Sequence, residues 1–386
     1  MNKHKVLVVA GTRPEAVKMA PVYFALKRSS YLEPIFCSTA QHREMMDQTL
    51  GVFGIEPDID LDLMRPEQTL STLTAAVIKG ATQALREIQP QAVLVQGDTT
   101  TVLGTALASF YEKIPIGHVE AGLRTYDFDA PWPEEMNRRL VDPISRWCFA
   151  PTSFSQNNLL KESIPDAQCE VTGNTVIDAL LWVRQQQESV GLTASEIVDR
   201  CGIDTGFASR FLQTDNPWIL VTGHRRESFG GGFENICKAI LNLVEQWPNL
   251  GVLYPVHLNP SVQEPVYRML KGHPRICLAE PCGYYDFIWL MGRCHFLLSD
   301  SGGVQEEAPS LGKPVLVMRE ITERPEGIDA GTCRLVGTDP DRIMQEASLL
   351  MENEAEYQKR SALKNPYGDG KAANRICTRL EADLCG

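Results

Sequence analysis

The stretch "HFLLSDSGGVQEEAPSLGKPVLVMRE" (295–320) decides the fold. Two short apolar runs, at 295–303 and 313–320, predict strands, and the segment between them (303–312) has the pattern of a helix. A strand, a helix and a second strand in this order form a βαβ unit, which joins two parallel strands of one sheet. The stretch therefore predicts an α/β protein built on parallel sheets.

The same alternation extends through both halves of the chain. The predicted strands of the first half are 5–10, 33–40, 92–98 and 114–120, with helices near 14–28, 70–88 and 100–112. Further strands of the second half are 218–224, 251–257 and 275–281, with a helix at 233–246. A polar helical stretch, 181–210, separates the halves. The pattern predicts two Rossmann-like domains with a cleft between them and a boundary near 175–185, and ligands are expected beyond the carboxyl ends of the strands.

Length and composition limit the classes of function. At 386 residues the chain exceeds the size at which one hydrophobic core stops growing, and 43% hydrophobic with 22% charged residues is typical of a globular protein. The net charge of −12 argues against a protein that wraps nucleic acid or lies on anionic lipid. No apolar run approaches the roughly 20 residues of a membrane span. Eleven cysteines without a CxxC spacing predict buried reduced thiols, so we expect a cytoplasmic protein. No H-x-x-x-H, C-x-x-C or EF-hand spacing appears, so the sequence does not support a metal role.

Polar and charged residues follow the predicted strands of the first half. Arg13 and Lys18 lie in "GTRPEAVKMAP", which is also compatible with a plain turn into a helix that carries surface cations. Asp98 closes the strand in "QGDTTT" and is either a site residue or the N-cap of the next helix. Glu120 ends an apolar strand, so it should be partly desolvated and suited to proton transfer. His118 is expected to be structural.

The second half carries residues expected to bind an anion. Ser301, Gly302 and Gly303 lie between a strand and a helix, where free N–H groups can receive a diphosphate. Glu306 and Glu307 are placed in the first turn of that helix. There they either stabilise its positive end or accept hydroxyl groups of a ribose.

Two further segments are expected near the same strand ends. His224 ends a strand beside Arg225 and a triple glycine (230–232), and Arg324 follows a later strand. A lone histidine is more often structural, but this setting favours a site residue. The segment "TYDFDAPWPEEMNRR" (125–139) is too polar for a core and too aromatic for a linker, so we predict a mobile active-site loop.

Nine motifs, taken in order, resemble the non-hydrolysing UDP-N-acetylglucosamine 2-epimerases of bacteria. They span nearly the whole chain and are "GTRPEAVKMAP", "TAQHREMMDQ", "VQGDTTT", "HVEAGLR", "PWPEEMNRR", "VTGHRRE", "PVHLNP", "DSGGVQEEAPSLGKPVLVMRE" and "TERPEG". The resemblance implies the two-domain GT-B fold, in which the last helix, here about 371–383, crosses back onto the first domain. It implies an N-terminal domain of residues 1–178 with about 371–386, and a C-terminal, UDP-binding domain of residues 179–370.

The resemblance also implies an isomerase that reversibly interconverts UDP-N-acetylglucosamine and UDP-N-acetylmannosamine without an added cofactor, in supply of cell-surface polysaccharide synthesis. The reaction would eliminate UDP to give 2-acetamidoglucal and then add it back. A homodimer is implied as well. The alternatives are a hydrolysing relative that releases N-acetylmannosamine and UDP, a retaining glycosyltransferase of the same fold, and a catalytically silent UDP-sugar sensor.

Matched position by position, the motifs imply roles for residues of this chain. The nucleotide-binding positions are Arg13, Ser301, Gly302, Gly303, Glu307 and Arg324, with Phe287 beside the uracil. The catalytic or sugar-site positions are Lys18, Asp98, Glu120, Glu134 and His224. The positions for a second, activating UDP-N-acetylglucosamine are Gln41, Glu44, Arg225 and His257. Cys282 departs from the family pattern, in which Gln is frequent at the base pocket.

The proton chemistry needs two groups with pKa values near the working pH, one for each face of the sugar carbon, or one mobile group. We expect Asp98 and Glu120 to form the main proton-transfer pair. Glu134 is expected to be the third carboxylate. His224 is expected to support the departing diphosphate.

Overall fold

The chain folds into two compact units. The computed structural model describes residues 3–39, 43–65 and 68–386. Unit 1 comprises Met1–Leu181 with Tyr367–Gly386, and unit 2 comprises Trp182–Pro366. Each unit is built around one parallel β-sheet covered by helices, so the predicted fold class is confirmed.

The sheet of unit 1 has seven strands within the described residues, in the order β3-β2-β1-β4-β5-β6-β7. They are β1 His4–Ala10, β2 Leu32–Ser38, β3 Ile59–Asp60, β4 Ala92–Gln96, β5 Ile116–Val119, β6 Trp147–Ala150 and β7 Cys169–Val171. The inner strands are apolar because helices cover both faces of a parallel sheet, and β4 is buried along its whole length. The winding reverses between β1 and β4, which is where open α/β sheets bind their ligands.

The helices of unit 1 follow its strands. Up to the junction with unit 2 they are α1 Arg13–Arg28, α2 Arg43–Phe53, α3 Leu70–Ile88, α4 Thr100–Tyr111, α5 Glu134–Val141, α6 Ser153–Lys161 and α7 Thr175–Ser189. Pro14 lies in the first turn of α1, where its missing N–H costs nothing. The N-cap of α4 is Thr99, whose hydroxyl accepts from Val102 N at 3.4 Å. The alternative that Asp98 caps this helix is therefore wrong.

Unit 2 repeats the winding of unit 1. Its strands, in the order β10-β9-β8-β11-β12-β13, are β8 Trp218–Thr222, β9 Gly251–Pro255, β10 Ile276–Ala279, β11 Leu297–Ser299, β12 Val315–Val317 and β13 Cys333–Leu335. Its helices are α8 Ala194–Cys201, α9 Thr205–Phe207, α10 Gly231–Gln246, α11 Pro260–Leu270, α12 Tyr284–Arg293, α13 Gly302–Glu307, α14 Pro325–Asp329, α15 Pro340–Glu352 and α16 Glu354–Ser361. The reversal now falls between β8 and β11.

Helix α10 packs on the sheet of unit 2 through apolar residues at helical spacing. Phe233, Ile236, Ile240 and Val244 recur on one face of α10 and are all buried. They pack in one cluster with strand residues such as Val252. An apolar stripe of this width buries one side of the helix against the sheet and leaves the other side for polar residues.

The last helix, α17 Ala372–Cys385, belongs to unit 1. Its first N–H groups, those of Ala372 and Ala373, donate to the carboxylate of Asp178 on α7 at 3.2 and 2.9 Å. Near its other end Asp383 accepts from Trp147 Nε1 at 2.6 Å. The expected return of the final helix to the first sheet is confirmed.

Two sequence predictions about elements are wrong, and four strands were not predicted. Helix α5 begins at Glu134, so the predicted loop at 125–139 is helical in its second part. The stretch 181–210 is not one helix, since α7 ends at Ser189 and α8 and α9 follow separately. The strands β3, β6, β7 and β13 were missed because two to four residues are too few for a periodic pattern.

The cysteines lie mostly in the interior of the two units. All eleven cysteines are free thiols, and nine of them are buried. Cys282 is half-buried and Cys385 is exposed. Across the described ranges, no helix combines the length and the apolar character needed to cross a membrane.

Candidate active site

Glu120 is the first residue after β5 and has a left-handed backbone, with a φ of 70°. A residue with a Cβ adopts this conformation at a cost of roughly 1–2 kcal/mol, so its surroundings must hold it there. The carboxylate forms an ion pair with Lys18 and accepts from Gln96 Nε2 at 2.5 Å and Asn174 Nδ2 at 3.1 Å. The N–H donates to Phe149 O at 3.0 Å. The structure thus brings two predicted site residues, Lys18 and Glu120, into direct contact.

Asp98 lies in the loop after β4 and is held by α5. Its Oδ2 accepts from Nε and Nη2 of Arg138, at 2.9 and 2.6 Å, and its backbone oxygen accepts from Asn137 Nδ2 at 2.7 Å. Arg138 Nη1 also lies 3.3 Å from Glu135 Oε2. Because the side chains of Glu135, Asn137 and Arg138 are buried, their contacts fix the start of α5 on the β4 loop. Residues 126–130 of the predicted mobile loop are exposed, and its mobility stays a prediction.

Glu134 and Arg13 each begin a helix at this edge of the sheet. Glu134 is the first residue of α5, and its Oε2 is buried without a hydrogen-bond partner among the described residues. Arg13 is the first residue of α1, directly after the loop that follows β1. We name Asp98, Glu120 and Glu134 the carboxylate edge of unit 1.

Glu15 is a further acid beside the carboxylate edge. It is buried and accepts from Gly11 N at 2.5 Å, Thr12 N at 3.1 Å and Thr99 Oγ1 at 2.5 Å. Burial raises the pKa of Glu15 to about 7, although these hydrogen bonds lower it, and the nearby Asp98 charge raises it further. The T-x-x-E spacing of a capping box is the sequence signal that could have identified it.

The glycine loop, Ser301–Gly303, follows β11 and leads into α13 in unit 2. A Cβ at Gly302 would lie 3.4 Å from Cζ of Arg324, so the guanidinium packs against the first residue of the helix. Arg324 Nε donates to Glu306 Oε1 at 2.7 Å. Because first-turn N–H groups have no acceptor within their own helix, the loop combines backbone donors with a guanidinium. A diphosphate is an acceptor that suits this set of donors.

Glu306 and Glu307 are the last residues of α13, so their predicted position in its first turn is wrong. The six residues of this helix bring its end close to its beginning. Glu307 Oε1 accepts from the hydroxyl of Tyr284 at 2.6 Å, and a Cβ at Gly303 would lie 3.8 Å from its Oε2. Phe287 is half-buried one turn after Tyr284 on α12, which places both aromatic rings on the same side of that helix.

His224 and Arg225 follow β8, and both of their backbone N–H groups donate to Asp300 Oδ2 at 2.8 Å. His224 Nδ1 lies 3.0 Å from Asp300 Oδ1, and its ring stacks on His257 with 5.7 Å between centroids. Burial would raise the pKa of Asp300, but His224 and the two N–H donors hold that pKa below its ordinary value. Burial and the neighbouring His224 lower the pKa of His257. Arg225 Nε is buried without a partner among the described residues.

Two predicted residues lie beyond what the structure describes, namely Gln41 and the side chain of Glu44. Sequence analysis also missed the contacts of Arg138, Tyr284 and Asp300. Arg138 lies in the motif "PWPEEMNRR" and Asp300 begins "DSGGVQEEAPSLGKPVLVMRE", but the role of each of the three depends on a partner distant in the chain. In the part of the chain that is described, no three His, Cys, Asp or Glu side chains are grouped as a metal site would require.

The chain is similar to known proteins along nearly its whole length. The family model for UDP-N-acetylglucosamine 2-epimerase matches residues 24–381. Over 377 residues the chain is 52% identical to a UDP-N-acetylglucosamine 2-epimerase of Escherichia coli strain K12, with 98% of each chain covered.

Two solved structures show the same similarity in three dimensions. One is a UDP-GlcNAc 2-epimerase from Neisseria meningitidis bound to UDP-GlcNAc, with a TM-score of 0.86, 46% identity and coverage of 99% of this chain and 100% of that one. The other is a UDP-GlcNAc 2-epimerase from Methanocaldococcus jannaschii in complex with UDP-GlcNAc and UDP, with a TM-score of 0.77, 31% identity and coverage of 98% and 99%.

Proposed function

The chain belongs to the UDP-N-acetylglucosamine 2-epimerase family and is an isomerase, and we propose that it interconverts UDP-N-acetylglucosamine and UDP-N-acetylmannosamine without hydrolysis. The observation that carries the proposal is the carboxylate edge. Asp98 and Glu120 follow neighbouring strands, and each is fixed by a cation of unit 1, Arg138 or Lys18. Inversion at a carbon that bears a hydrogen needs such groups, because a proton must leave one face and return to the other.

The reaction we propose couples loss of the proton to loss of UDP. The C2 proton of the sugar is a weak acid, so it is removed most easily while the C1–O bond to UDP breaks. A carboxylate takes the proton, the C2–H electron pair becomes the C1=C2 bond of 2-acetamidoglucal, and the C1–O electron pair leaves with UDP. When UDP adds back at C1 and a proton is delivered to the other face of C2, the product is the epimer.

Within this scheme Asp98 and Glu120 are the proton-transfer pair. Their proximity is supported by Gly97, the residue before Asp98, where a Cβ would lie 3.7 Å from Glu120 Oε2. Glu134 is the third carboxylate, and its buried Oε2 has no hydrogen-bond partner in the described part of the chain, so it is available to a ligand. Carboxylates placed in this way move the proton and offset the positive charge that develops on the sugar ring.

Unit 2 supplies most of the nucleotide contacts in this proposal. In unit 2 the glycine loop and Arg324 receive the diphosphate, because guanidinium groups bind phosphate oxygens with charge-assisted hydrogen bonds. In unit 1 we propose Arg13 as a further nucleotide-binding residue. Glu307, oriented by Tyr284, accepts the ribose hydroxyls. Phe287 lies beside the uracil, and Cys282 replaces the usual Gln there.

His224 supports the departing diphosphate. Its position is set by Asp300, which lies against the backbone and the ring of His224. A fixed donor at the point where negative charge develops stabilises the transition state more than the ground state.

We also propose that a second UDP-N-acetylglucosamine activates the enzyme through Gln41, Glu44, Arg225 and His257. The support lies in unit 2, where His257 stacks on His224 and Arg225 has a buried Nε. A ligand held by His257 and Arg225 would therefore contact the residues that support the leaving group. Coupling between two sites is reciprocal, so pure UDP-N-acetylmannosamine should react slowly until traces of UDP-N-acetylglucosamine are added.

A cytoplasmic homodimer is the proposed state of the protein. Eleven free thiols suit a reducing compartment. Phe110 and Tyr111 at the end of α4 are 54% and 66% exposed, and such adjacent aromatic side chains are frequent at protein interfaces. Light scattering coupled to size-exclusion chromatography measures the mass and decides between monomer and dimer.

One experiment tests the proposed function against its alternatives. Dialysed and chelator-treated protein is mixed with UDP-N-acetylglucosamine and followed by proton NMR. We expect the signals of UDP-N-acetylmannosamine to grow to a constant ratio. Free N-acetylmannosamine would instead identify a hydrolysing enzyme, an unchanged spectrum would favour a sensor, and a strict requirement for NAD or a divalent metal would contradict the cofactor-free reaction.

A further inference from the structure

His118 in β5 is fully buried, and both of its ring nitrogens face oxygen acceptors. Nδ1 lies 2.5 Å from Oδ1 of Asp142, and Nε2 lies 2.7 Å from the backbone oxygen of Gly97. The other oxygen of Asp142 accepts from Arg124 Nη2 at 2.7 Å, which favours the ionised carboxylate. A neutral imidazole has only one N–H, so one of these buried contacts would set two lone pairs against each other. The geometry therefore requires a proton on both nitrogens.

Two carboxylates, those of Asp142 and Glu162, face the cations around His118. Arg124 donates from Nε and Nη2 to Glu162 at 2.9 and 2.8 Å, and Arg139 Nε lies 3.5 Å from the same carboxylate. Burial opposes the charge on His118, but the carboxylate of Asp142 raises the pKa of His118 above its ordinary value. Burial likewise opposes the charge on Asp142, and His118 with Arg124 hold its pKa below the usual range. A buried cation is stable in such a setting because it is paired and hydrogen-bonded.

The buried pair of His118 and Asp142 holds two turns, at Gly97 and Gly122, that lie beside the carboxylate edge. Gly97 and Gly122 both have a left-handed backbone, with φ of 82° and 86°. His118 donates to Gly97 O, and Gly122 N donates to Asp142 Oδ2 at 3.3 Å. The Gly97 turn also packs on Glu120, since a Cβ at Gly97 would lie 3.7 Å from Glu120 Oε2. His118 and Asp142 therefore fix the backbone on both sides of that carboxylate.

We propose that His118 is a positioning residue, a buried imidazolium that fixes the Gly97 turn and through it the carboxylates of Asp98 and Glu120. Asp98 follows Gly97 directly, and Glu120 follows His118 by two residues at the end of the same strand. The inference rests on the proposed proton-transfer roles of these two acids. Positioning of this kind matters because a displacement of about 1 Å in a catalytic group can lower a rate by about 10²-fold.

Two variants separate the two contacts of the ring. The amide nitrogen of Gln can take the place of Nε2, and that of Asn the place of Nδ1. We expect His118→Asn, which loses the contact with Gly97 O, to lower kcat by about 10²-fold, whereas His118→Gln should retain most of the wild-type kcat. KM and the affinity for UDP should stay unchanged, because the glycine loop lies in unit 2. Equal losses of kcat in the two variants, or a loss of UDP affinity, would overturn the positioning role.

The unaltered protein gives a test that does not depend on the folding of a variant. In protein labelled with ¹⁵N-histidine, we expect one ring to keep a proton on both nitrogens at pH values above the ordinary titration of histidine. This signal should be absent from His118→Gln. If every histidine ring loses a proton near its ordinary pKa, the imidazolium is excluded. Because this readout concerns protonation alone, it remains valid even if the protein fails to epimerise UDP-N-acetylglucosamine.

Discussion

The carboxylate edge of unit 1 and the glycine loop of unit 2 lie at equivalent places in two sheets of the same winding. In each sheet the order of the strands reverses between the first and the fourth strand in chain order, and the candidate residues follow strands at or next to this point. The side chains differ in kind. Unit 1 presents acids that are fixed by cations, whereas unit 2 presents backbone N–H groups and a guanidinium. The topology thus determines where a ligand binds, and the loop residues determine what is done to it.

If unit 1 supplies the proton-transfer groups and unit 2 the nucleotide contacts, changing the acids of unit 1 should lower turnover and leave nucleotide binding unchanged. We expect Asp98→Asn and Glu120→Gln to lower kcat by ~10²-fold or more, because general acid–base catalysis is lost. Calorimetry should show an unchanged affinity for UDP. In D2O, the product of the wild-type reaction should carry deuterium at C2.

Glu112→Gln is the matched control, since it makes the same change from carboxylate to amide in a surface ion pair with Arg86. Exposed pairs contribute about 0–1 kcal/mol, so this variant should behave as the wild type. Near-normal turnover in Asp98→Asn or Glu120→Gln would remove that residue from the proton-transfer pair. Retention of the original C2 hydrogen would exclude the elimination route.

Two buried acids, Glu15 in unit 1 and Asp300 in unit 2, have pKa values that shift in opposite directions. The pKa of Glu15 in unit 1 is raised to about 7, so its contribution to stability is present below pH 4.5 and is lost as the pH rises through 7. The pKa of Asp300 in unit 2 is lowered, so its contribution is present at neutral pH and is lost as the pH falls through that lowered value.

Urea unfolding of Glu15→Gln measures the first of these effects. Relative to the variant, the free energy of unfolding of the wild type should fall by up to about 3 kcal/mol between the ordinary and the raised pKa, at 1.36 kcal/mol per pH unit. The Gln amide can still accept from Gly11 N and donate to Thr99, so the comparison isolates the charge. Parallel pH profiles for the two proteins would contradict the raised pKa.

Variants at the nucleotide contacts of unit 2 should bind UDP more weakly, unlike variants at the acids of unit 1. Glu307→Ala should weaken UDP binding by roughly 1.5–3 kcal/mol, the range for a hydrogen bond to a charged group. Tyr284→Phe is the matched control, because it removes only the hydroxyl that donates to Glu307 and should weaken binding by about 0.5–1.5 kcal/mol. An unchanged affinity of Glu307→Ala in calorimetry would place the ribose contact elsewhere.

The sequence was informative about these regions wherever the signal was local. Alternating apolar runs and helical periods predicted both sheets. The rule that ligands bind beyond strand ends selected Lys18 with Glu120 and the glycine loop with Arg324, and in the structure the two members of each set are in contact. Strand ends were placed too far along, as at Asp98, because polar residues that leave a strand do not mark its last hydrogen bond.

The remaining contacts depend on partners distant in the chain. Arg138 reaches Asp98 across 40 residues, and Asp300 reaches His224 across 76. No local pattern encodes such pairs, since they arise only when two loops fold onto one edge of a sheet. The role of α5 was missed for the same reason, because its polar side chains are buried by ion pairs rather than by apolar contacts.

The smallest effects are expected when a glycine of either region, Gly97 or Gly302, is changed to alanine. Gly97 has a left-handed φ of 82°, where a side chain costs roughly 1–2 kcal/mol, so Gly97→Ala should destabilise the protein by about this amount and lower kcat by displacing Asp98. Gly302 begins α13 outside the left-handed region, and a Cβ there would make only ordinary contact with Arg324. Gly302→Ala should therefore change the free energy of unfolding by less than about 1 kcal/mol.

For the affinity for UDP, the larger effect is expected at Gly302 and not at Gly97. The methyl group of Gly302→Ala stands beside the guanidinium that we assign to the diphosphate, so the affinity for UDP should fall, whereas Gly97→Ala should bind UDP as the wild type does. Urea unfolding, kcat and UDP calorimetry on the two variants give the full comparison. If Gly302→Ala binds UDP normally, or if Gly97→Ala loses affinity without losing kcat, then acid chemistry and nucleotide binding are not divided between the two regions in the way that we propose.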